Sequence, residues 1–101
     1  MRAIVYNAKT REAKEVEIEN YKDYYKHLDC RTFDIVRISE SVNVYVDDEG
    51  LMVDNPSFSL VAGYPEPLAG NLVFTGGADR DGNTLSSTES VKNVIKNIIA
   101  L

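Results

Sequence analysis

Alternation of hydrophobic and polar residues with a period of two predicts strands in the first part of the chain. In residues 13–19, Val16 and Ile18 lie on one side of the predicted strand and three glutamates lie on the other. Residues 2–7 contain four consecutive apolar residues, which predicts a strand buried on both faces. Because only a short polar break separates the two segments, we expect them to pair as a hairpin.

The longest strand pattern covers residues 33–53. It contains two β-prone runs separated by a three-residue polar break, and the acidic residues 47–49 followed by Gly50 end the second run in a turn. This arrangement predicts a hairpin, which we expect at the centre of the scaffold. Residues 51–53 and 72–75 are each predicted to form a further short strand.

Residues 57–62 are ambiguous. Their alternation places Phe58, Leu60 and Ala62 inward if the segment is extended. In so short a segment the period does not distinguish a strand from a short helical turn, so both alternatives stay open.

A short helix is predicted over residues 21–28, with Asn20 as the N-cap and Asp23 in the first turn. Its apolar residues share one face at helical spacing, and they are Tyr21, Tyr24, Tyr25 and Leu28. Packing of this stripe on the sheet is the simpler interpretation. The alternative is that the tyrosines, which have apolar rings and polar tips, line a ligand groove or a partner surface.

A second helix is predicted at the C-terminal end. Residues 86–89 have the Ser-Ser-Thr-Glu pattern of a capping box, which marks a helix start. The apolar residues that follow at helical spacing are Val91, Val94, Ile95, Ile98 and Ile99. The fold class predicted from all these patterns is α+β, in one domain over residues 1–101. We expect a mostly antiparallel five- or six-stranded sheet, with the first helix after strand two and the amphipathic C-terminal helix packed on one face.

Composition limits the classes of function. The chain is 44% hydrophobic, and no apolar run approaches the roughly 20 residues of a membrane helix. The N-terminal residues lack a signal-peptide pattern, and Cys30 is the single cysteine, so we expect a cytoplasmic protein without a disulfide. The net charge of −5 argues against direct nucleic-acid binding.

Local motifs provide no active site. Cys30 close to His27 suggests an activated nucleophile, but a structural cysteine and a surface histidine at a helix end explain the pair better. Residues 77–84 follow the spacing of a phosphate-binding loop, but Asn83 replaces the required lysine. Residues 79–83 imitate the start of a calcium loop that lacks its later ligands. We therefore predict no catalytic residue, no cofactor and no metal site.

The loop at residues 63–67 is the first choice for a binding loop. Two prolines restrict its backbone, and it carries Tyr64 and Glu66. Binding residues often lie on loops that a rigid scaffold positions.

Several turn motifs together resemble a known family. They are residues 47–51 (DDEGL), an Asn-Pro pair, residues 67–71 (PLAGN) before an apolar strand, and residues 79–86 (DRDGNTLS) before a capped helix. In the order of its elements, the chain from Tyr21 to the C-terminus is similar to a family of small uncharacterised proteins, a domain of unknown function, found in phages, prophages and plasmids of bacteria. The resemblance implies a mobile-element accessory protein without established enzymatic activity, and many small proteins of that origin inhibit host defence systems.

We therefore expect a non-catalytic protein, not an enzyme, that acts in the cytoplasm of a bacterial host. Its expected partner is a host protein such as a defence nuclease or effector, which it inhibits in the manner of an anti-CRISPR or anti-restriction factor. The alternative is an oligomer that sequesters a nucleotide signal, with tyrosines stacked on the base and Arg31, Arg37 or Arg80 on phosphates. A homodimer is expected to form, if at all, through residues 13–19 or 72–75. The candidate partner- or ligand-binding residues are Tyr21, Tyr24, Tyr25, Tyr64, Glu66, Arg31 and Arg37.

Overall fold

The computed structural model describes residues 1–52 and 56–101. In chain order, the elements are β1 (Arg2–Asn7), β2 (Glu12–Glu17), α1 (Lys22–Leu28), β3 (Phe33–Ser39), β4 (Val42–Asp47), a 3-10 helix (Gly50–Met52), β5 (Phe58–Val61), β6 (Leu68–Ala69), β7 (Leu72–Thr75), α2 (Val91–Lys96) and β8 (Ile98–Ala100). The predicted α+β class is confirmed.

The main sheet has five antiparallel strands in the order β2-β1-β7-β4-β3. Both predicted hairpins form, but β7 pairs with β1 on one side and β4 on the other, so the second hairpin is not at the centre as expected. β3 is an edge strand of this sheet. The prediction that residues 72–75 provide a pairing edge is wrong, because both edges of β7 are already hydrogen-bonded.

The main sheet is buried on both faces because each face packs on a different layer. On one face, Ala3, Val5 and Val73 pack with α1 through Tyr24 and Leu28. The opposite face carries a second group of buried side chains, which packs against the smaller sheet and α2, and its members are Ile4, Tyr6, Val44, Val46, Leu72 and Phe74. The four apolar residues of β1 are all buried, as its sequence predicted.

A smaller sheet has the strand order β6-β5-β8. Residues 58–61 are therefore a strand, which resolves the ambiguity left by the sequence. The predicted inward face is wrong, since Ser59 and Val61 are buried whereas Phe58 and Leu60 are half-buried and Ala62 is exposed. Alternation defines two faces of a strand, but only the pairing partners determine which face meets the core.

The C-terminal helix is shorter than predicted. Ser90 is its N-cap and accepts a hydrogen bond from the Asn93 N–H at 3.0 Å, so the cap is not at the predicted residues 86–89. The helix ends at Lys96, and Ile98 and Ile99 belong to β8 instead. β-branched residues suit a strand, and here β8 pairs with β5 so that Ile99 lies opposite Leu60.

The first helix forms close to its predicted bounds, starting at Lys22 instead of residue 21, and its N-cap is Tyr21 and not the predicted Asn20. The Asn20 side chain accepts from the Lys22 N–H at 2.9 Å, and the Asp23 carboxylate accepts from the N–H groups of Glu19 and Asn20. These bonds satisfy backbone donors at the helix start. The helix ends where Asp29 takes the left-handed conformation at φ 52°.

A strand predicted at residues 51–53 does not form in its described part. Residues 50–52 form the 3-10 helix, and Val53 lies outside the described residues, as do residues 54 and 55 of the predicted Asn-Pro break. Within residues 1–52 and 56–101, no helix has the length and apolar character needed to cross a membrane.

Candidate functional site

An aromatic cluster fills the space between α1 and the β3–β4 hairpin. The rings of Tyr24 and Tyr45 are stacked, with centroids 3.9 Å apart and planes within 7° of parallel. Phe33 lies against both, at 5.4 Å and 5.6 Å between centroids. The Tyr45 hydroxyl is hydrogen-bonded to the Thr84 hydroxyl at 2.8 Å. This bond connects the cluster to the loop before α2. This inner part of the cluster is core packing.

Tyr24 therefore belongs to the core and not to a binding surface. Its side chain is only 6% exposed, and burial, followed by the hydrogen bond with Tyr45, raises the pKa of its hydroxyl. A buried ring that already stacks on a neighbour cannot also stack on a nucleotide base.

The outer part of the cluster reaches solvent. The Tyr25 ring lies 5.0 Å from Phe33, and Tyr21 contacts Tyr25 edge-on at 6.1 Å. Ile35 lies opposite Tyr45 in the β3–β4 register, so it shares the sheet face that carries α1. Tyr21 is 60% exposed and Ile35 is 48% exposed, whereas Tyr25 and Phe33 are half-buried. We call these four residues the tyrosine surface.

The tyrosine surface borders an open edge of the main sheet. At the start of the β3–β4 hairpin, the Thr32 carbonyl accepts the Asp48 N–H at 3.1 Å. Backbone groups of an antiparallel strand point alternately to its two sides. Those of Asp34 and Val36 therefore point toward β4, and those of Phe33, Ile35 and Arg37 point away from it. No strand lies beyond β3 in the part of the chain that the structure describes.

The predicted arginines occupy different places. Arg37 lies two residues beyond Ile35 on the same face of β3. Arg31 lies in the turn after α1 and donates to both carboxylate oxygens of Glu49, at 2.9 and 3.2 Å. Arg80 is exposed in the turn that Asp79 organises by accepting from the N–H groups of Asp81 and Asn83.

The loop at residues 63–67 lies apart from the tyrosine surface, beside the smaller sheet. Gly63 is required there, because its φ is 94° and an added Cβ would lie 2.9 Å from the Ile38 side chain. Tyr64 is half-buried against the core, and Glu66 is exposed. The loop residues therefore do not join the other candidates in one site.

The Cys30–His27 pair does not have the electrostatics of an activated nucleophile. Burial and then the carboxylates of Asp47, Asp29 and Glu49 raise the pKa of the Cys30 thiol to about 11. A thiol with that pKa is protonated at neutral pH, and the thiolate is the nucleophilic form. Among the described residues, no group of three or more His, Cys, Asp or Glu side chains is arranged to hold a metal.

A polar cleft of about 610 Å³ lies between the end of α1 and the β1–β2 hairpin, and the sequence did not indicate it. Lys14, Lys26, His27 and Asp29 line it together with Asn71. Asn71 accepts from the Ala8 N–H and donates to the His27 carbonyl, so it holds the two walls together. Because charges of both signs line this cleft, its electrostatics favour no single ligand class.

Sequence reasoning missed Phe33 and Ile35 as surface residues. Their alternation was visible in the sequence, but the hairpin was expected at the centre of the scaffold, where neighbouring elements would cover both side chains. Their exposure follows from the position of β3 at the sheet edge, which depends on the distant strand β7.

These features define an α+β domain with an open, partly apolar sheet edge. The chain belongs to the family described as Domain of unknown function (DUF3846), whose model matches residues 1–99. This match confirms the resemblance to a small uncharacterised family. The chain is also similar to "Uncharacterized protein y4iR" of Sinorhizobium fredii (strain NBRC 101917 / NGR234), with 35% identity over 65 residues, which are 64% of this chain. The chain spans 38% of the length of that relative. No solved structure matches the chain.

Proposed function

We propose that this domain is a protein-binding module and that its partner docks on the tyrosine surface. The observation that carries the proposal is the contiguity of Tyr21, Tyr25, Phe33 and Ile35 at a sheet edge, where Tyr21 is 60% and Ile35 48% exposed. Tyrosine and phenylalanine are enriched in protein interfaces because large rings bury much apolar area at low entropic cost.

The geometry supports protein binding more than nucleotide sequestration. A nucleotide site needs a concave pocket with convergent polar groups. The tyrosine surface is a flank of a helix and a strand, Tyr24 is withdrawn into the core, and Arg31 is already paired with Glu49. Arg37 shares the face of the tyrosine surface, but the stacking contact expected from Tyr24 and the phosphate contact expected from Arg31 are not available beside it.

The narrower form of the proposal is that the partner is a protein of a bacterial host and that binding inhibits it, for example a defence nuclease or effector. This form is supported by the resemblance to mobile-element proteins and by the net charge of −5, which suits a partner with a basic surface. In this form the domain acts in the host cytoplasm, and binding occludes the partner without catalysis.

Site-specific photocrosslinking tests the docking site. p-Benzoylphenylalanine is placed at position 21 or at position 35, and position 99 is the matched control because Ile99 is 63% exposed on the smaller sheet. After irradiation in cells of the bacterium that carries the gene, we expect a discrete crosslinked protein from positions 21 and 35 and none from position 99. Crosslinks from position 99 alone, or purified protein that carries a bound metabolite and gives no crosslink, would contradict the proposal.

A further inference from the structure

Along the free edge of β3, some backbone groups are unpaired among the described residues and one N–H is bonded to a side chain of the same strand. The backbone groups of Phe33, Ile35 and Arg37 point away from β4, which is the arrangement that an added strand requires. The Ile35 N–H is an exception among them, because it donates to the side-chain carboxylate of the preceding residue, Asp34, at 2.8 Å. In the middle of the edge, the Asp34 carboxylate therefore occupies the N–H that an added strand would need.

From this geometry we infer that β3 accepts an extended segment of a partner protein as a sixth strand, and that a basic side chain of that segment binds Asp34 and releases the Ile35 N–H. The inference deepens the proposed function and rests on it. It identifies how the partner meets the edge beside the tyrosine surface and what its docking segment contains.

The side chains of β3 define the pattern of that segment. Phe33, Ile35 and Arg37 lie on the face that carries α1, and Asp34 and Val36 lie on the other. Every second side chain of an added strand would lie beside Ile35 and Phe33, where apolar groups bury area. On the opposite face a lysine or arginine would lie beside Asp34. The segment is therefore expected to alternate apolar and basic residues.

A second copy of this chain fits the same edge poorly. Antiparallel pairing about a two-fold axis at Ile35 requires the Ile35 N–H of both copies, and in each copy Asp34 holds that N–H. The same pairing places each Asp34 opposite Val36 of the other copy, so no basic group meets either carboxylate. Charged residues that obstruct an edge are a common protection against self-pairing.

The test uses the full chain and two synthetic heptapeptides as probes, one alternating valine with lysine and one alternating valine with glutamate. Amide chemical shifts are followed by NMR during each titration. We expect the lysine peptide to shift the amides of Phe33, Ile35 and Arg37, and to bind about tenfold or more tightly than the glutamate peptide. Equal affinities, or shifts that avoid β3, would overturn the inference.

General attraction between a cationic peptide and an acidic protein is controlled by charge-matched variants. Asp34→Asn is expected to reduce the preference for the lysine peptide by about two- to fivefold. Glu12→Gln removes the same charge from β2 at the opposite edge of the sheet and is expected to leave the binding site and most of the preference unchanged. An equal loss of preference in both variants would show that only the net charge matters.

The backbone contact is tested at Arg37, whose N–H points to the free edge. Arg37→Pro removes that donor, and Arg37→Ala removes the side chain but keeps the donor. We expect the proline variant to bind the lysine peptide at least tenfold more weakly than the alanine variant, with both spectra showing a folded protein. If Arg37→Pro unfolds the chain, the peptide-induced shifts at the outward amides of the wild type decide the question. The two proposals can fail separately. If positions 21 and 35 give crosslinks but neither peptide shifts the amides of β3, the protein-binding proposal stands and only strand addition is contradicted.

Discussion

The two edges of the main sheet differ in the side chains that protect them. β2 is covered by charge, since Glu12, Lys14, Glu15 and Glu17 are all exposed. β3 instead exposes Ile35 and lies beside Tyr21 and Tyr25, with Asp34 as its single acidic residue. Charged side chains on an edge strand oppose its pairing with other chains. The comparison shows that, within the described part of the chain, charged side chains protect the β2 edge, whereas the β3 edge exposes apolar side chains beside its free backbone groups.

Ion pairs strengthen the difference. Arg2 of β1 binds Glu15 at 2.8 Å, and the N-terminal amino group just before β1 binds Glu17, so two carboxylates of β2 are already paired with cations. On β3, the Asp34 carboxylate accepts a hydrogen bond from its own strand and, among the described residues, forms no ion pair. The charge at the β3 edge is thus available to an external cation.

The largest expected effect concerns the aromatic cluster that supports the β3 edge. Tyr24→Ala should lower the free energy of unfolding by about 4 kcal/mol, because it removes a buried ring that stacks on Tyr45. Tyr21→Ala should change it by no more than about 0.5 kcal/mol, since that ring is exposed. Urea denaturation measures both variants. Similar small losses would show that the cluster does not hold α1 on the sheet.

The next effect concerns the turn between β3 and β4. A Cβ at Gly77 would lie 2.0 Å from the Glu40 carbonyl oxygen, so Gly77→Ala should cost about 3 kcal/mol of stability. Gly82→Ala is the matched control, because nothing lies near its Cβ position and only its φ of 82° opposes the change. We expect about 1 kcal/mol there. Equal costs in thermal unfolding would contradict the close contact at Gly77.

Acid should loosen α1, the helix that contributes Tyr25 to the tyrosine surface. Hydrogen bonds from the N–H groups of Glu19 and then Asn20 lower the pKa of Asp23 below its ordinary value of 3.8. A carboxylate with a lowered pKa in the folded state stabilises the fold above its unfolded pKa, and this contribution is lost as the pH falls through the folded pKa. Asp23→Asn should therefore flatten the fall in melting temperature below about pH 4.

Thermal unfolding between pH 6 and pH 2 measures this effect. Glu12→Gln is the matched control, since its carboxylate accepts no hydrogen bond from the described backbone. A pH profile for Asp23→Asn that coincides with the wild-type profile would mean that the Asp23 hydrogen bonds add nothing to stability.

The smallest expected effect is a difference between the two edges in how stability depends on salt. Glu15→Gln breaks the pair with Arg2, which is partly exposed, and should cost about 0.5 kcal/mol or less at low ionic strength. In about 1 M salt this cost should disappear, because screening acts at that distance. Asp34→Asn should show no comparable salt dependence. Salt-sensitive stability at β3 and not at β2 would reverse the proposed difference between the edges.

Sequence patterns predicted both hairpins and the first helix, because these elements depend on residues close together in the chain, but they misplaced the N-cap of the C-terminal helix. Both hairpins and the first helix formed close to their expected bounds. The strand order was not predictable in the same way, because β7 is inserted between β1 and β4 by contacts far apart in the chain. Residues 98 and 99 illustrate the same limit. Their spacing fits a helix, but pairing with β5 makes them a strand.

The candidate surface was predicted only in part for the same reason. The tyrosine stripe was visible at helical spacing, and Tyr21 and Tyr25 lie on the surface. Spacing could not show that Tyr24 turns into the core, because that depends on its stacking with Tyr45 of β4, which is far away in the chain. Nor could it reveal Ile35 as a surface residue, since its exposure depends on β3 having no outer neighbour.

Amide hydrogen exchange along β3 tests the central claim most directly. If the edge is open, the outward amides of Phe33 and Arg37 exchange fast and the inward amides of Asp34 and Val36 exchange slowly. The Ile35 amide should be intermediate in wild type, and it should become as fast as its outward neighbours in Asp34→Ala. Uniformly slow exchange along the strand would show that the edge is already covered, and it would contradict the account.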